Sequence, residues 1–335
     1  MAGRTVMVLG GGVGGVVAAR RLRQKLGSEH RVLLVDKEDR HYFPPSFPWV
    51  MVSRREPHST YRHLSGLSRK GIEIIQGEVT AIDVDQHQVA TSSGDLSWDY
   101  LVIALGTEMT YDNVPGLKEA SHTYYSLEGA VELRNALDDF TGGNLLVTVA
   151  GVPYRCPAAP YEGTLLIDHY LRRQRKREDA QVKFFTLEPA PMPVAGPEIG
   201  GAVEEMLARR DVSFGPGKAL ASVEADDRVT VFADGTREEF DLLVTIPQHK
   251  APAVLVESGL VGESGWVEVD RHTLGTSFPD VYALGDATYI KLVSGLPLPK
   301  AGVFAHAQAE VIAENVASRI LHRREGEARF DGHGS

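Results

Sequence analysis

The stretch "TVMVLGGGVGGVVAARRLRQKLGSEHRVLLVDKE" (5–38) decides the fold. Thr5–Leu9 reads as a short buried strand, Gly14–Leu26 as a helix, and Arg31–Val35 as a second buried strand. Gly27 stands where a helix stop belongs. Between strand and helix, Gly10, Gly12 and Gly15 form G-x-G-x-x-G. The first glycine permits a tight turn. The second lets the backbone approach a pyrophosphate, and the third lets helix and strand pack closely. The helix N-terminus then faces phosphate charge. Asp36 follows Gly15 by 21 residues, the spacing for a carboxylate that accepts from a ribose hydroxyl. A glycine triplet alone often marks only a turn; strand, helix and acid in register make this one a dinucleotide site.

The order of elements recurs. "IEIIQGEVTAIDVDQHQVATSSGDLSWDYLVIALG" (72–106) reads as three short antiparallel strands and then a buried strand. In the second half, strand Leu145–Val149 leads to a turn, a helix over 161–178 and a strand over 182–188. A helix over 199–210 and a second meander over 219–247 follow. Each half is a β-α-β unit plus a meander plus one more strand. The fold class is therefore α/β, with two tandem Rossmann-like dinucleotide-binding domains of the three-layer ββα type. The expected boundaries are 1–112 with 246–335 for the first, discontinuous domain and 113–245 for the second. The run "RRQRKRE" (172–178) reads as the solvated end of a helix.

Composition narrows the function. A formal charge of −10 argues against nucleic acid, which requires a basic surface. No stretch approaches the roughly 20 apolar residues of a membrane span. The N-terminus enters a strand at once and offers no signal peptide. One cysteine cannot form an internal disulfide, and the 12 histidines are scattered, so no metal site is expected.

Two further segments, "WDYLVIALGT" (98–107) and "FPDVYALGDAT" (278–288), are apolar strands ending at glycine, and Asp286 follows the second. They resemble the later FAD signatures of the two-dinucleotide-binding-domain flavoproteins, which are glutathione-reductase-like. The resemblance implies FAD held at Gly10, Gly12, Val13, Gly14, Gly15, Asp36 and Lys37. It adds Pro45, Val79, Ala104, Leu105 and Gly106, and, from the last signature onward, Gly285, Asp286, Lys300, Ala301 and Gly302.

The turn after Leu145–Val149 reads G-V-P-Y-R-C-P where a second glycine loop would stand. Only Gly151 remains, and Pro153 and Pro157 carry no amide for a second pyrophosphate. No nicotinamide site is expected. "CPAAPYEGTLL", "PMPVAGPE", "GWVEVDRHTL" and "LPKAGVFAHAQAEVIAENV" resemble the sulfide:quinone oxidoreductase and flavocytochrome c sulfide dehydrogenase family nearly end to end. This implies that Cys156 lies near the flavin and takes electrons from sulfide or a small thiol, as a thiolate. Glu162 matches a family glutamate that handles protons, and equally reads as an acid complementing a helix N-terminus. Lys300 precedes a helix that would face the flavin and stabilise its reduced form. Cys156 read without the resemblance is a small buried residue.

The family's second redox cysteine is absent; relatives carry it just after a segment like "ARFDGHGS" (328–335). The chain is thus expected either to stop short of that cysteine and of the segment forming the quinone pocket and membrane anchor, or to be a divergent member of the family. A further family cysteine near "HTYYSLEG" is replaced by Tyr125. The expected activity is oxidation of sulfide with a quinone acceptor, in the cytoplasm or peripheral to the inner membrane. Alternatives are a type II NADH:quinone oxidoreductase and an FAD-binding form without a complete catalytic centre. The oligomeric state is open, a homo-oligomer included.

Overall fold

The computed structural model describes residues 3–323 and 327–334; Met1, Ala2 and Ser335, the ends of the expected first domain, lie outside them. In chain order the first elements are β1 (Thr5–Leu9), α1 (Val13–Lys25), β2 (Arg31–Asp36), the short helix α2 (Phe47–Met51) and β3 (Glu73–Gln76). A meander follows, β4 (Val79–Asp83), β5 (Gln88–Thr91) and β6 (Gly94–Ser97), then β7 (Tyr100–Ile103) and α3 (Leu127–Asp139). Next come β8 (Gly143–Val149), α4 (Ala159–Arg173), β9 (Ala180–Thr186), α5 (Pro197–Ala208) and β10 (Ser213–Gly215). A second meander, β11 (Leu220–Glu224), β12 (Val229–Phe232) and β13 (Arg237–Glu239), leads to β14 (Leu242–Ile246), β15 (Val281–Ala283) and α6 (Gly302–Ile320).

The chain divides into two compact units: residues 1–42, 61–108 and 250–335, and residues 43–60 with 109–249. In the first, five parallel strands run in the order β15-β7-β1-β2-β3. Alternate side chains serve opposite faces. Val6 and Val8 of β1 pack with Ala18, Leu22, Ala309 and Ile312 under α1 and α6. Met7 and Leu9 pack with Ile82, Val89 and Trp98 of the meander region. Burial on both faces is why these strands read as unbroken apolar runs. Glu73–Gln76 pairs parallel to β2 and so belongs to the main sheet; the three antiparallel strands are β4 to β6.

The second unit has four parallel strands, β10-β9-β8-β14, and the antiparallel β11–β13. Leu146, Phe185 and Leu243 pack with Val223 and Phe232 of that meander. Tyr161, Phe184 and Phe214 form an aromatic cluster, with Tyr161 and Phe184 centroids 5.0 Å apart. Residues 43–60, expected in the first domain, pack with the second unit. Phe47, Val50 and Met51 are buried there, in contact with α3 and α4.

The basic run 172–178 differs from its sequence reading. The helix ends at Arg173, and Arg175 adopts a left-handed φ of 58°. The run then serves a buried acid. Asp168 is fully buried, with Arg177 Nε at 2.7 Å, Arg172 Nε at 3.0 Å and Arg210 Nη1 at 3.4 Å. A buried carboxylate needs such partners, and removing it would leave the largely buried Arg177 guanidinium without its counter-charge, while Arg172 and Arg210 reach solvent. Asp168→Ala should therefore lower unfolding free energy by about 3–5 kcal/mol, measured by urea titration. A loss within the range of an exposed ion pair, below about 1 kcal/mol, would show the cluster to be solvated.

Candidate active site

The first unit builds a phosphate cradle from backbone alone. Gly10 has φ of 105°, and a Cβ there would lie 2.3 Å from Ala104 O. A Cβ on Gly15 would lie 1.8 Å from Gly10 O, so α1 and β1 meet at backbone distance. Gly12 differs: a Cβ on it meets nothing within 4 Å. The loop is thus packed tightly beneath and open at the position that would face a ligand. Gly12 is also the N-cap of α1, and no acid sits in that helix's first turn. The first intrahelical bond is Val16 N–H to Gly12 O at 3.0 Å, so the amides of Val13, Gly14 and Gly15 precede it and suit an anion.

Asp36 closes β2 beside this loop. It accepts from Gly11 N–H, and its Oδ1 accepts from Glu38 N–H at 2.8 Å. A carboxylate has lone pairs beyond these for a ribose hydroxyl. Lys37 is exposed next to it. Ala104 continues β7 and donates its N–H to Leu9 O at 2.8 Å, and Gly106 takes φ of 68° two residues on. Val79 has its side chain in the core, which leaves only its backbone for a ligand. Pro45 falls in the second unit.

The last signature forms a pocket with the start of α6. Gly285, Asp286, Lys300, Ala301 and Gln308 line it. Gly285 N–H donates to Gln308 Oε1 at 2.6 Å, a contact the sequence reading missed although "AHAQAEV" contains the residue. Lys300 is only 9% exposed. Its Nζ donates to Asp286 O at 2.6 Å and Thr288 O at 3.3 Å, and stands 3.2 Å from the centre of the Trp266 ring. Burial lowers its pKa to about 8, against the opposing pull of Asp286. Gly302 opens α6 with Ala301 as its N-cap.

The second unit treats the equivalent turn, between β8 and α4, differently. Gly151 is wedged: a Cβ there would lie 2.6 Å from Gln248 Cβ. The loop carbonyls are bound within the unit, Ala150 O by Asn113 Nδ2 at 3.0 Å and Val152 O by Gln248 Nε2 at 2.7 Å. Tyr154 turns inward and is buried. Its hydroxyl donates to Glu188 Oε2 at 2.6 Å. Glu188 lies just beyond β9, as Asp36 ends β2 in the first unit. Burial raises the Glu188 pKa, and burial followed by the Glu188 charge holds Tyr154 protonated. The acid that could meet a second ribose is thus engaged by a side chain from the loop that would hold a second pyrophosphate.

Beyond Tyr154 the turn presents Cys156, exposed and left-handed at φ of 56°. Few non-glycine residues take this conformation, and such strain clusters at functional sites. Arg155 anchors the turn: its guanidinium donates to Tyr125 O at 2.9 Å and His249 Nε2 at 3.1 Å. His249 Nδ1 lies 2.9 Å from Pro247 O, so the Nδ1-protonated tautomer satisfies both contacts. Tyr124 donates to Ala159 O at 2.9 Å. Burial pushes its pKa well up, reinforced by the nearby Cys156 and Glu162. Cys156 and the exposed Glu162, in the first turn of α4, are therefore brought to one neighbourhood. Tyr124, Tyr154, Arg155 and His249 were not singled out by sequence reading. Tyr154 and Arg155 lie within the quoted turn, but no local pattern signals their long-range partners.

Residues 4–309 match the pyridine nucleotide-disulphide oxidoreductase family. The mitochondrial sulfide:quinone oxidoreductase of Mus musculus is 30% identical over 98% of this chain and 74% of the mouse protein. The chain belongs to this family, in its sulfide:quinone oxidoreductase branch. The crystal structure of the Aquifex aeolicus sulfide:quinone oxidoreductase superposes with a TM-score of 0.86 at 24% identity, covering 96% of this chain and 78% of that one. A type II NADH:quinone oxidoreductase of Staphylococcus saprophyticus is 23% identical over 93% of this chain and 82% of its own length. The protein is an FAD-dependent oxidoreductase of the glutathione-reductase-like fold. The open face at Gly12, the α1 amides and Asp36 fit that cofactor.

Lys300 makes this site pH-sensitive. Folding lowers its pKa from 10.5 to about 8, so the folded state binds the proton less tightly than the unfolded chain. Stability then rises as pH climbs from about 8 to 10.5, and the penalty relieved is about 3 kcal/mol. In flavin-stripped protein, this rise should be present in the parent and missing in Lys300→Met when the two are compared by urea titration. Parallel pH profiles would show that Lys300 titrates like a solvated lysine.

Proposed function

We propose that the protein oxidises sulfide, or a related thiol or persulfide, through Cys156 and passes the electrons by way of FAD to a quinone. The observation that carries this reading is the β8–α4 turn. It presents an exposed, conformationally strained thiol and holds Tyr154 against Glu188 where a second dinucleotide would need both loop amides and an acid. The similarity to sulfide:quinone oxidoreductases over nearly the whole chain supports the same substrate class. The turn argues against the type II NADH:quinone reading.

FAD held at the Gly10–Gly15 loop would supply two-electron redox chemistry between the substrate sulfur and the quinone. The residues of this chain bind, orient and move protons around that exchange. The α1 amides and Gly12 would hold the pyrophosphate, Asp36 the ribose, and Asp286 the ribityl chain. Val13, Gly14, Ala104, Leu105 and Gly106 would line the cofactor, with Lys37 and the backbone of Val79 at its margins. Lys300 and the N-terminus formed by Ala301 and Gly302 place positive potential at the Gly285 loop, favouring negative charge there. Cys156 acts as a thiolate that takes the substrate sulfur. Glu162 accepts its proton. The quinone is apolar, so the protein works at the surface of the membrane that contains it; among the described residues no helix is long and apolar enough to cross one.

Cys156→Ser should retain FAD and its spectrum while losing flavin reduction by sulfide under anaerobic mixing, by about two orders of magnitude or more. A variant that sulfide reduces as fast as the parent removes Cys156 from the chemistry.

A further inference from the structure

The second unit contains a cavity of about 130 Å³ that the proposed chemistry does not use. Its walls come from two places. Leu166, His169, Tyr170 and Arg173 form one stripe of α4, at the spacing of a single helical face. Trp49, Val52 and Arg54 come from α2 and the turn after it. Leu166, Val52, the Tyr170 ring and the 42% exposed Trp49 make the lining apolar. An engineered apolar cavity of comparable size, about 150 Å³, holds a benzene molecule.

Charge at the mouth goes the other way from the chain as a whole, which is net −10. Arg54 Nη2 lies 3.2 Å from His169 Nε2, and among the described residues no acid pairs with the Arg54 guanidinium. The Arg173 guanidinium makes no hydrogen bond or ion pair among the described residues. Of the nearby acids, Asp168 is surrounded by Arg172, Arg177 and Arg210, and Asp138 is held on the Tyr170 hydroxyl rather than on either rim arginine. Two planar forks beside an apolar hollow suit a carboxylate carried on a small apolar body. A quinone lacks the charge, and sulfide lacks the body.

We propose that this cavity binds small apolar carboxylates, with an aromatic ring or a short alkyl chain between Trp49 and Leu166 and the carboxylate between Arg54 and Arg173. Benzoate and hexanoate are the probes, titrated calorimetrically into the FAD-loaded protein. Both should bind saturably at one site. The neutral counterparts benzyl alcohol and hexan-1-ol should bind about tenfold more weakly or worse, and inorganic phosphate should not compete. Arg54→Gln with Arg173→Gln should weaken carboxylate binding about tenfold or more. Leu166→Trp should fill the cavity and abolish binding with both arginines in place. Urea unfolding followed by far-ultraviolet circular dichroism, with a transition like the parent's, reports that each variant is folded. Absence of saturable binding in the parent, alcohols that match the acids, phosphate that competes equally, or a double variant or a filled cavity that binds as the parent does would each overturn the proposal.

Discussion

The backbone contact between Gly15 and Gly10 is the constraint on which the cofactor site depends. With 1.8 Å between a hypothetical Gly15 Cβ and Gly10 O, no other residue lets α1 lie so close to β1. That approach sets the helix N-terminus directly above the strand end. It leaves the amides of the first turn available and places Gly12 at an open surface. Asp36 reaches the loop because β2 is parallel to β1 in fixed register, Leu9 opposite Val35. The Gly285 loop reaches the same end of the sheet because β15 lies beside β7, itself beside β1. Sheet order thus collects at one edge what the sequence separates by 270 residues or more, from Gly15 to Gly285.

The second unit shows how the same scaffold can be turned to other use. Its β8-α4-β9 repeats the first unit's β1-α1-β2, yet its turn is held by side chains. Pro153 and Pro157 remove amides, Gln248 and Asn113 bind the loop carbonyls, and Tyr154 engages Glu188. The turn also presents Cys156 in a left-handed conformation, beside Arg155, whose guanidinium bonds Tyr125 O and His249 Nε2. Under the proposed function, a thiol standing where a nucleotide cradle would be changes the reductant, and the flavin site of the first unit is built without that turn.

What the sequence discloses follows from the range of each interaction. Gly10, Gly12, Gly15 and Asp36 answer local demands on turn, approach and spacing, so they can be read in one pass. The two meanders and the parallel strands follow from alternation and unbroken apolar runs. Tyr154 with Glu188 and Arg155 with His249 join positions 34 and 94 residues apart, and no periodicity marks them. The run 172–178 looks solvated because arginine is polar; its role becomes visible only when Arg210 arrives at the same buried Asp168. Residues 43–60 are expected in the first domain by chain order, because "FPWVM" is apolar throughout and does not state which unit it covers.

Anaerobic rapid mixing of the FAD-loaded protein with sulfide and, separately, with NADH at equal concentration tests the central claim most directly. A second unit that offers a thiol in place of a nucleotide cradle predicts flavin reduction by sulfide about a hundredfold or more faster than by NADH. Reduction by NADH as fast as by sulfide would contradict it.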